Sequence, residues 1–286
     1  MNIKQPTTHN QQIELMKSRG CNINDEVFCE DVLSKVNYYR LTAYFLPFRN
    51  NDGITYRPGT NFTQIYNIYE FDKQLRNIII SVIEDIEIYT RTKIAYYHAH
   101  KYGSLGYEDS LNYDKQHKHT VFKKIIAEEI KKNQNVLFVK HHLNNYDGKL
   151  PIWAIVELFS FGMLSRFYSD LPLSDRKNLA KELYGVDESI ARSWLQCSTN
   201  LRNICAHYGR LYFRLLGAIP TTPKGHSFIL DRQLFSALTM LKLMYPDKKK
   251  WNKFITSFQR LITKYSDFIQ LQHMGMPDHW KKMLRK

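Results

Sequence analysis

In the stretch 63–101 the apolar residues Leu75, Ile79, Val82, Ile86 and Tyr89 recur at steps of four and three, which puts them on one stripe of an α-helix and on no single face of a strand. A stripe that keeps its phase for several turns predicts one long helix, closed at Gly103. Such a helix needs a partner along its apolar side, from the same chain or from a second copy. The remainder of the chain repeats the helical period. No run alternates as a strand does, and no two-residue hairpin turn separates two such runs. The predicted class is all-α, a helical bundle with a small N-terminal helical extension.

Punctuation residues divide the bundle. A helix over 11–19 stops at Gly20, a second is capped by Asn24 and covers 25–36, and a short third covers 38–45 before Pro47. The stretch 49–59, with Asp52-Gly53 and Arg57-Pro58-Gly59, is irregular. A soft boundary near residue 60 separates an N-terminal helical segment, 1–60, from a helical domain, 61–286, unless the two form one continuous domain. Beyond the long helix, helices are predicted over 116–132 and 135–144. Pro151 begins another, with Ile152, Ile155, Phe159, Met163 and Phe167 as its buried face. Ser174 caps the next, Gly185 closes it, and Asp187 opens a helix that runs through Trp194 and Leu201 into Arg202. After a loop over 217–225 come helices over 231–245, 248–266 and 278–285.

Charge narrows the class of partner. With 41 basic against 27 acidic residues the chain carries a formal +14, which favours a polyanion, because each phosphate neutralised releases condensed counterions. Lysines scattered over a solvated surface are the plainer account of the same excess. The 19 tyrosines offer stacking surface for unpaired bases, or simply core. The four cysteines lack CxxC spacing and the first residues lack the apolar stretch of a secretory signal, so a reducing, cytoplasmic setting is expected. Apolar runs are broken by charge well short of the roughly 20 residues a membrane span requires.

Much chemistry is missing. There is no GxxxxGK[ST], GxGxxG, HExxH, GxSxG or DxDxDG pattern, so no cofactor is expected. His98, His100, His117, His119, His141 and His142 lack ligand-spaced cysteines or paired carboxylates, and no metal is expected either. Glu87 and Arg91 stand at the i, i+4 spacing of a helix salt bridge, from where the long helix can back an active site built elsewhere.

The segment 201–211, Leu-Arg-Asn-Ile-Cys-Ala-His-Tyr-Gly-Arg-Leu, crowds polar, chemically capable groups into an otherwise apolar helix. On a continuous helix Asn203 lies about 40° from His207, Arg210 about 60° to its other side, and Arg202 about 140° away. The set suits RNA cleavage by the ribose 2′-hydroxyl. Imidazole titrates near neutral pH and can take or give the proton, and a guanidinium steadies the charged pentavalent phosphorus. Asn203 would position the imidazole or the phosphate. RNA brings its own nucleophile, so the chemistry needs no metal. Cys205 is a poor nucleophile candidate because it faces away from His207. The competing account is a buried Arg/Asn/His network that ties the last helices together.

The block Arg202-Asn203-Ile204-Cys205-Ala206-His207 resembles the Arg-polar-x3-His motif of the HEPN ribonuclease superfamily. Tyr38-Tyr39-Arg40-Leu41-x2-Tyr44, Tyr69-Glu70-Phe71-Asp72-x2-Leu75-Arg76, Ile83-Glu84-x2-Glu87-x3-Arg91, Pro151-Ile152-Trp153-x3-Glu157 and Phe161-Gly162-x-Leu164-Ser165 precede it. In that order they resemble the Abi-like abortive-infection proteins, the AbiD and AbiF group, over about residues 20–280. The resemblance implies a HEPN-like bundle and a phage-defence toxin whose ribonuclease activity arrests growth and is restrained by a bound small RNA. It further implies a homodimer in which two motifs face one cleft. Arg202, Asn203 and His207 carry over as catalytic residues, with Arg210, Tyr208, Arg91 and Arg40 as support for RNA. Arg91-x6-His98 fits a looser spacing without the polar residue. The alternative expectation is a non-catalytic RNA-binding or sensor protein in which the motif is structural.

Overall fold

The computed structural model describes residues 3, 5–226 and 228–286. In chain order the helices are α1 (His9–Ser18), α2 (Glu26–Lys35), α3 (Tyr38–Thr42), α4 (Phe62–Tyr102), α5 (His119–Lys132), α6 (Leu137–Asn145) and α7 (Ile152–Ile155). They continue with α8 (Phe161–Asp170), α9 (Leu173–Tyr184), α10 (Glu188–Ala206), α11 (Leu234–Met244), α12 (Lys248–Lys264) and α13 (Trp280–Leu284). Among the described residues the only β pairings are isolated bridges, Asn22 with Asn61 and Arg49 with Tyr56. The protein is an all-α helical bundle.

The axis is α4, 41 residues long and so about 60 Å from end to end. Asn61 accepts from the Gln64 amide at 2.8 Å to start it, and Gly103, at φ 81°, turns the chain away at its end. Leu75, Ile79, Val82 and Ile86 are buried as their spacing predicts, and Tyr89 is half-buried. Helices α7, α9, α10 and α12 pack around this rod. Each fully buried Leu, Ile or Val side chain contributes about 1.5–3 kcal/mol. One hydrophobic cluster runs from Ile13 in α1 to Leu284 in α13.

The structure corrects several local expectations. The helix begun at Pro151 does not reach Phe167. It stops at Ile155, a 3-10 turn follows over Val156–Leu158, and Phe159 is extended. Ser160 then restarts the chain as α8, its hydroxyl accepting from the Met163 amide at 3.2 Å. The break re-phases the face: Phe159 and Phe167 stay buried, Leu164 enters the core, and Met163 is left half-exposed. Asp25, not Asn24, caps α2 by accepting from the Phe28 amide. Ser174 lies inside α9, which starts after Pro172 with no side-chain cap. Helix α3 ends at Thr42 rather than 45. Among the described residues no helix is long and apolar enough to cross a membrane.

Candidate functional site

Helix α10 ends inside the motif. Its last residue is Ala206 and His207 is the C-cap, so the helical angles drawn above hold for Arg202 and Asn203 and fail for Arg210. The Gly209 amide donates to the Ile204 carbonyl at 2.7 Å and the Tyr208 amide to the Cys205 carbonyl at 3.2 Å, the paired closure of a Schellman cap. Glycine normally takes the left-handed position in this cap. Here Tyr208 takes it, at φ 58°, at a conformational cost of about 1 kcal/mol or more. The turn aims the chain away from the helix axis and leaves Asn203, His207 and Tyr208 exposed.

What holds this turn lies far away in sequence. Asp72 of α4 is fully buried and accepts from the amides of Leu211 (3.0 and 3.2 Å, one to each oxygen) and Tyr212 (2.7 Å) and from the Tyr44 hydroxyl (2.7 Å). The Arg76 guanidinium completes the set and also donates to the Gly209 carbonyl at 3.3 Å. Burial pushes the Asp72 carboxyl up, while Arg76, Tyr44 and the two amides pull it down. Because every partner is a donor, the ionised carboxylate is the form that the surroundings accommodate. Arg40 of α3 donates to the Tyr208 carbonyl at 2.8 Å. On the far side, the Tyr212 hydroxyl meets His273 Nδ1 at 2.7 Å and accepts from the Gln270 amide at 2.9 Å.

The other face of α10 turns Arg202 toward α4. Its Nε lies 4.0 Å from Glu87 Oε2, while the opposite oxygen of Glu87 accepts from Arg91 at 2.8 Å. Arg91 is fixed in turn by the Phe159 carbonyl at 2.8 Å and by Glu157 at 3.5 Å. Burial raises the Glu87 carboxyl against the pull of both guanidiniums. Glu84, Glu87, Arg91, Arg202 and Ala206 line a cavity of about 330 Å³, flanked by Ile80 and the exposed Ile88. The Asn203 carbonyl oxygen is 3.5 Å from the Arg202 guanidinium, so this amide is turned to the arginine rather than to the imidazole.

Of the residues expected from sequence, Arg202 and Arg91 are thus joined through Glu87. Arg40 and Arg210 share a second cavity, of about 620 Å³, with Tyr39 and Tyr44. Within it Arg210 folds back to cap the carbonyls of Tyr212 (2.9 Å) and Phe213 (2.7 Å). Asn203 and His207 line neither cavity. The Cys205 thiol is buried and pushed up to about 12, far from thiolate formation at neutral pH. Tyr44, Asp72 and Arg76, the groups that hold the turn, stood in the sequence only as members of the family-like blocks, with no role assigned to them. The available signal was a charged pair at i, i+4 lying in phase with an apolar stripe. Among the described residues no group of three or more His, Cys, Asp or Glu is placed to hold a metal ion.

A family model described as Abi-like protein matches residues 31–213, which is more than half of the chain and contains every residue of the two cavities and the turn. No curated protein and no solved structure matches the chain.

Proposed function

Because the chain belongs to the family of Abi-like proteins, we propose that it acts in abortive infection as an endoribonuclease toxin, with Arg202, Asn203 and His207 as the reacting-site residues. The supporting observation is the end of α10. An exposed imidazole sits on a turn whose backbone is held by a buried carboxylate, and on another face of the same helix Arg202 lies 4.0 Å from a half-buried glutamate. Fixed donors and an accessible proton carrier are what charge development on a phosphate demands.

In the proposed reaction a base takes the 2′-hydroxyl proton as that oxygen attacks the adjacent phosphorus. An acid then protonates the departing 5′-oxygen, leaving a 2′,3′-cyclic phosphate and a 5′-hydroxyl. His207 serves one of these steps, Arg202 meets the charge on phosphorus, and Asn203 orients the phosphate through its contact with Arg202. Base and acid are two roles, and each chain brings one such histidine. A homodimer that sets two copies of the turn against one cleft supplies both, and it would cover the exposed Ile88 beside the Arg202 cavity. A bound small RNA in that cleft would restrain the enzyme, and a cytoplasmic location gives it its substrate. Expression of the wild type is expected to arrest growth, and expression of His207→Ala at equal folded yield is expected not to; equal arrest by both rules the reading out.

One observation favours the alternative of a non-catalytic RNA-binding or sensor protein: Arg202 is already committed to Glu87 and Asn203. On that account Arg202→Ala lowers the melting temperature by several degrees and weakens RNA binding. On the catalytic account it leaves the stability within about 0.5 kcal/mol of wild type and abolishes cleavage.

A further inference from the structure

Helices α8 and α10 approach closely near Gly162, where an added Cβ would stand 3.5 Å from Thr199. Small side chains, among them Ser165 and Ser193, then leave a groove of about 610 Å³ between them. Like the Arg40/Arg210 cavity it is basic, but small hydroxyl side chains take the place of the tyrosines there. Arg166 and Arg192 line it together with Gln196 and Asn200, and no carboxylate does. Glu188, one turn before Arg192 and well placed to neutralise it, is turned instead to Arg176 at 3.7 Å. Arg166 keeps a side chain 71% exposed, with Nε 3.5 Å from Asp170. Beyond the groove, which ends at Asn200, the same face of α10 runs on into the motif. Arg192, Gln196, Asn200, Asn203 and His207 follow one another at steps of four, four, three and four along α10, so they share one face over about 22 Å. A stacked strand rises about 3.4 Å per nucleotide, so this face accommodates several.

We propose that this groove is the track for the single-stranded RNA that flanks the scissile phosphate. Arg192 and Arg166 hold backbone phosphates, and Gln196 and Asn200 hydrogen-bond to riboses and phosphates, which delivers the strand to His207. The inference rests on the ribonuclease reading for the identity of the ligand. Contacts of this kind fix register without reading sequence, and guanidiniums and side-chain amides are the groups that commonly make them. The trough is polar and lacks large aromatic faces, so the track grips the backbone rather than stacking bases.

The test is anisotropy of a labelled 20-nucleotide mixed-sequence RNA strand titrated with the full-length protein across a salt series, with cleavage of the same strand followed in parallel. Arg166→Glu/Arg192→Glu is compared with Lys249→Glu/Lys253→Glu, an equal charge change at exposed positions on α12, which does not line the groove. The groove variant is expected to bind at least about tenfold more weakly than the control, and its salt slope should flatten by about 0.7 for each phosphate that the protein no longer neutralises. Gln196→Ala/Asn200→Ala, which leaves the charge unchanged, is expected to weaken binding several-fold. Equal binding by the groove variant and the control overturns the proposal, as does a wild type that does not bind the strand. His207→Ala separates the two claims. If it cleaves like wild type the ribonuclease reading falls, whereas cleavage at the wild-type rate by the groove variant removes the track and leaves that reading standing.

Discussion

Tyr208 occupies a backbone conformation that its side chain resists, one residue beyond His207. Tyr208→Gly is expected to relieve the strain and stabilise the protein by about 1 kcal/mol, read as a higher denaturant midpoint. A lower midpoint would show that the exposed ring makes contacts worth more than the strain. His207 lies on the surface at the C-cap with its ring exposed. His207→Ala should therefore leave the midpoint unchanged while cleavage falls by about 10²- to 10⁴-fold. At this scale the sequence was informative about which residue types gather and not about where they point. The Arg202 to His207 block stood out by its polarity in an apolar helix. The end of α10 at Ala206 did not stand out, because a tyrosine fills the place where glycine would have signalled it. That is why Arg210, drawn beside His207 on a continuous helix, caps the carbonyls of Tyr212 and Phe213 instead.

At the scale of elements, the structure explains why separate sequence blocks belong together. Arg40 in α3 and Tyr44 just after it, Asp72 and Arg76 in α4, and the turn after α10 form one hydrogen-bonded cluster. Asp72→Asn leaves Arg76 as a buried charge without its counter-ion and weakens the acceptors for two amides. A destabilisation of about 3–5 kcal/mol is expected, measured by denaturant unfolding. A change below about 1 kcal/mol would show that the turn is held elsewhere. The long helix was legible because its period persists through 41 residues. The break after Ile155 was not. Ile152, Ile155, Phe159 and Phe167 keep a helical spacing, which hid both the Ser160 cap that restarts the chain and the Arg91 guanidinium that takes up the Phe159 carbonyl.

For the molecule as a whole, the all-α class followed from periodicity alone, whereas its acid response follows from burial that only the fold reveals. His98 is fully buried near the end of α4, 5.0 Å from the ring of Tyr102 and 5.3 Å from that of Phe167, with neither ring nitrogen hydrogen-bonded. Burial lowers it to about 4 from its ordinary 6.5. Between those values the unfolded chain binds the extra proton, so stability rises with pH across that window. The contribution of neutral His98 is complete above 6.5 and is lost as pH falls toward 4, by about 3 kcal/mol in all. His98→Leu should flatten this part of the stability profile, measured by denaturant unfolding at about pH 7 and about pH 5. An unchanged slope would assign the acid response to other groups.

If the turn at His207 is the reacting site, RNA cleavage depends on its imidazole. The direct measurement is a denaturing gel of mixed RNA incubated in EDTA with nucleic-acid-free wild type and with His207→Ala. Fragments ending in cyclic phosphate are expected with the wild type and intact RNA with the variant. Equal fragmentation by both proteins, or intact RNA with both, would contradict the ribonuclease reading.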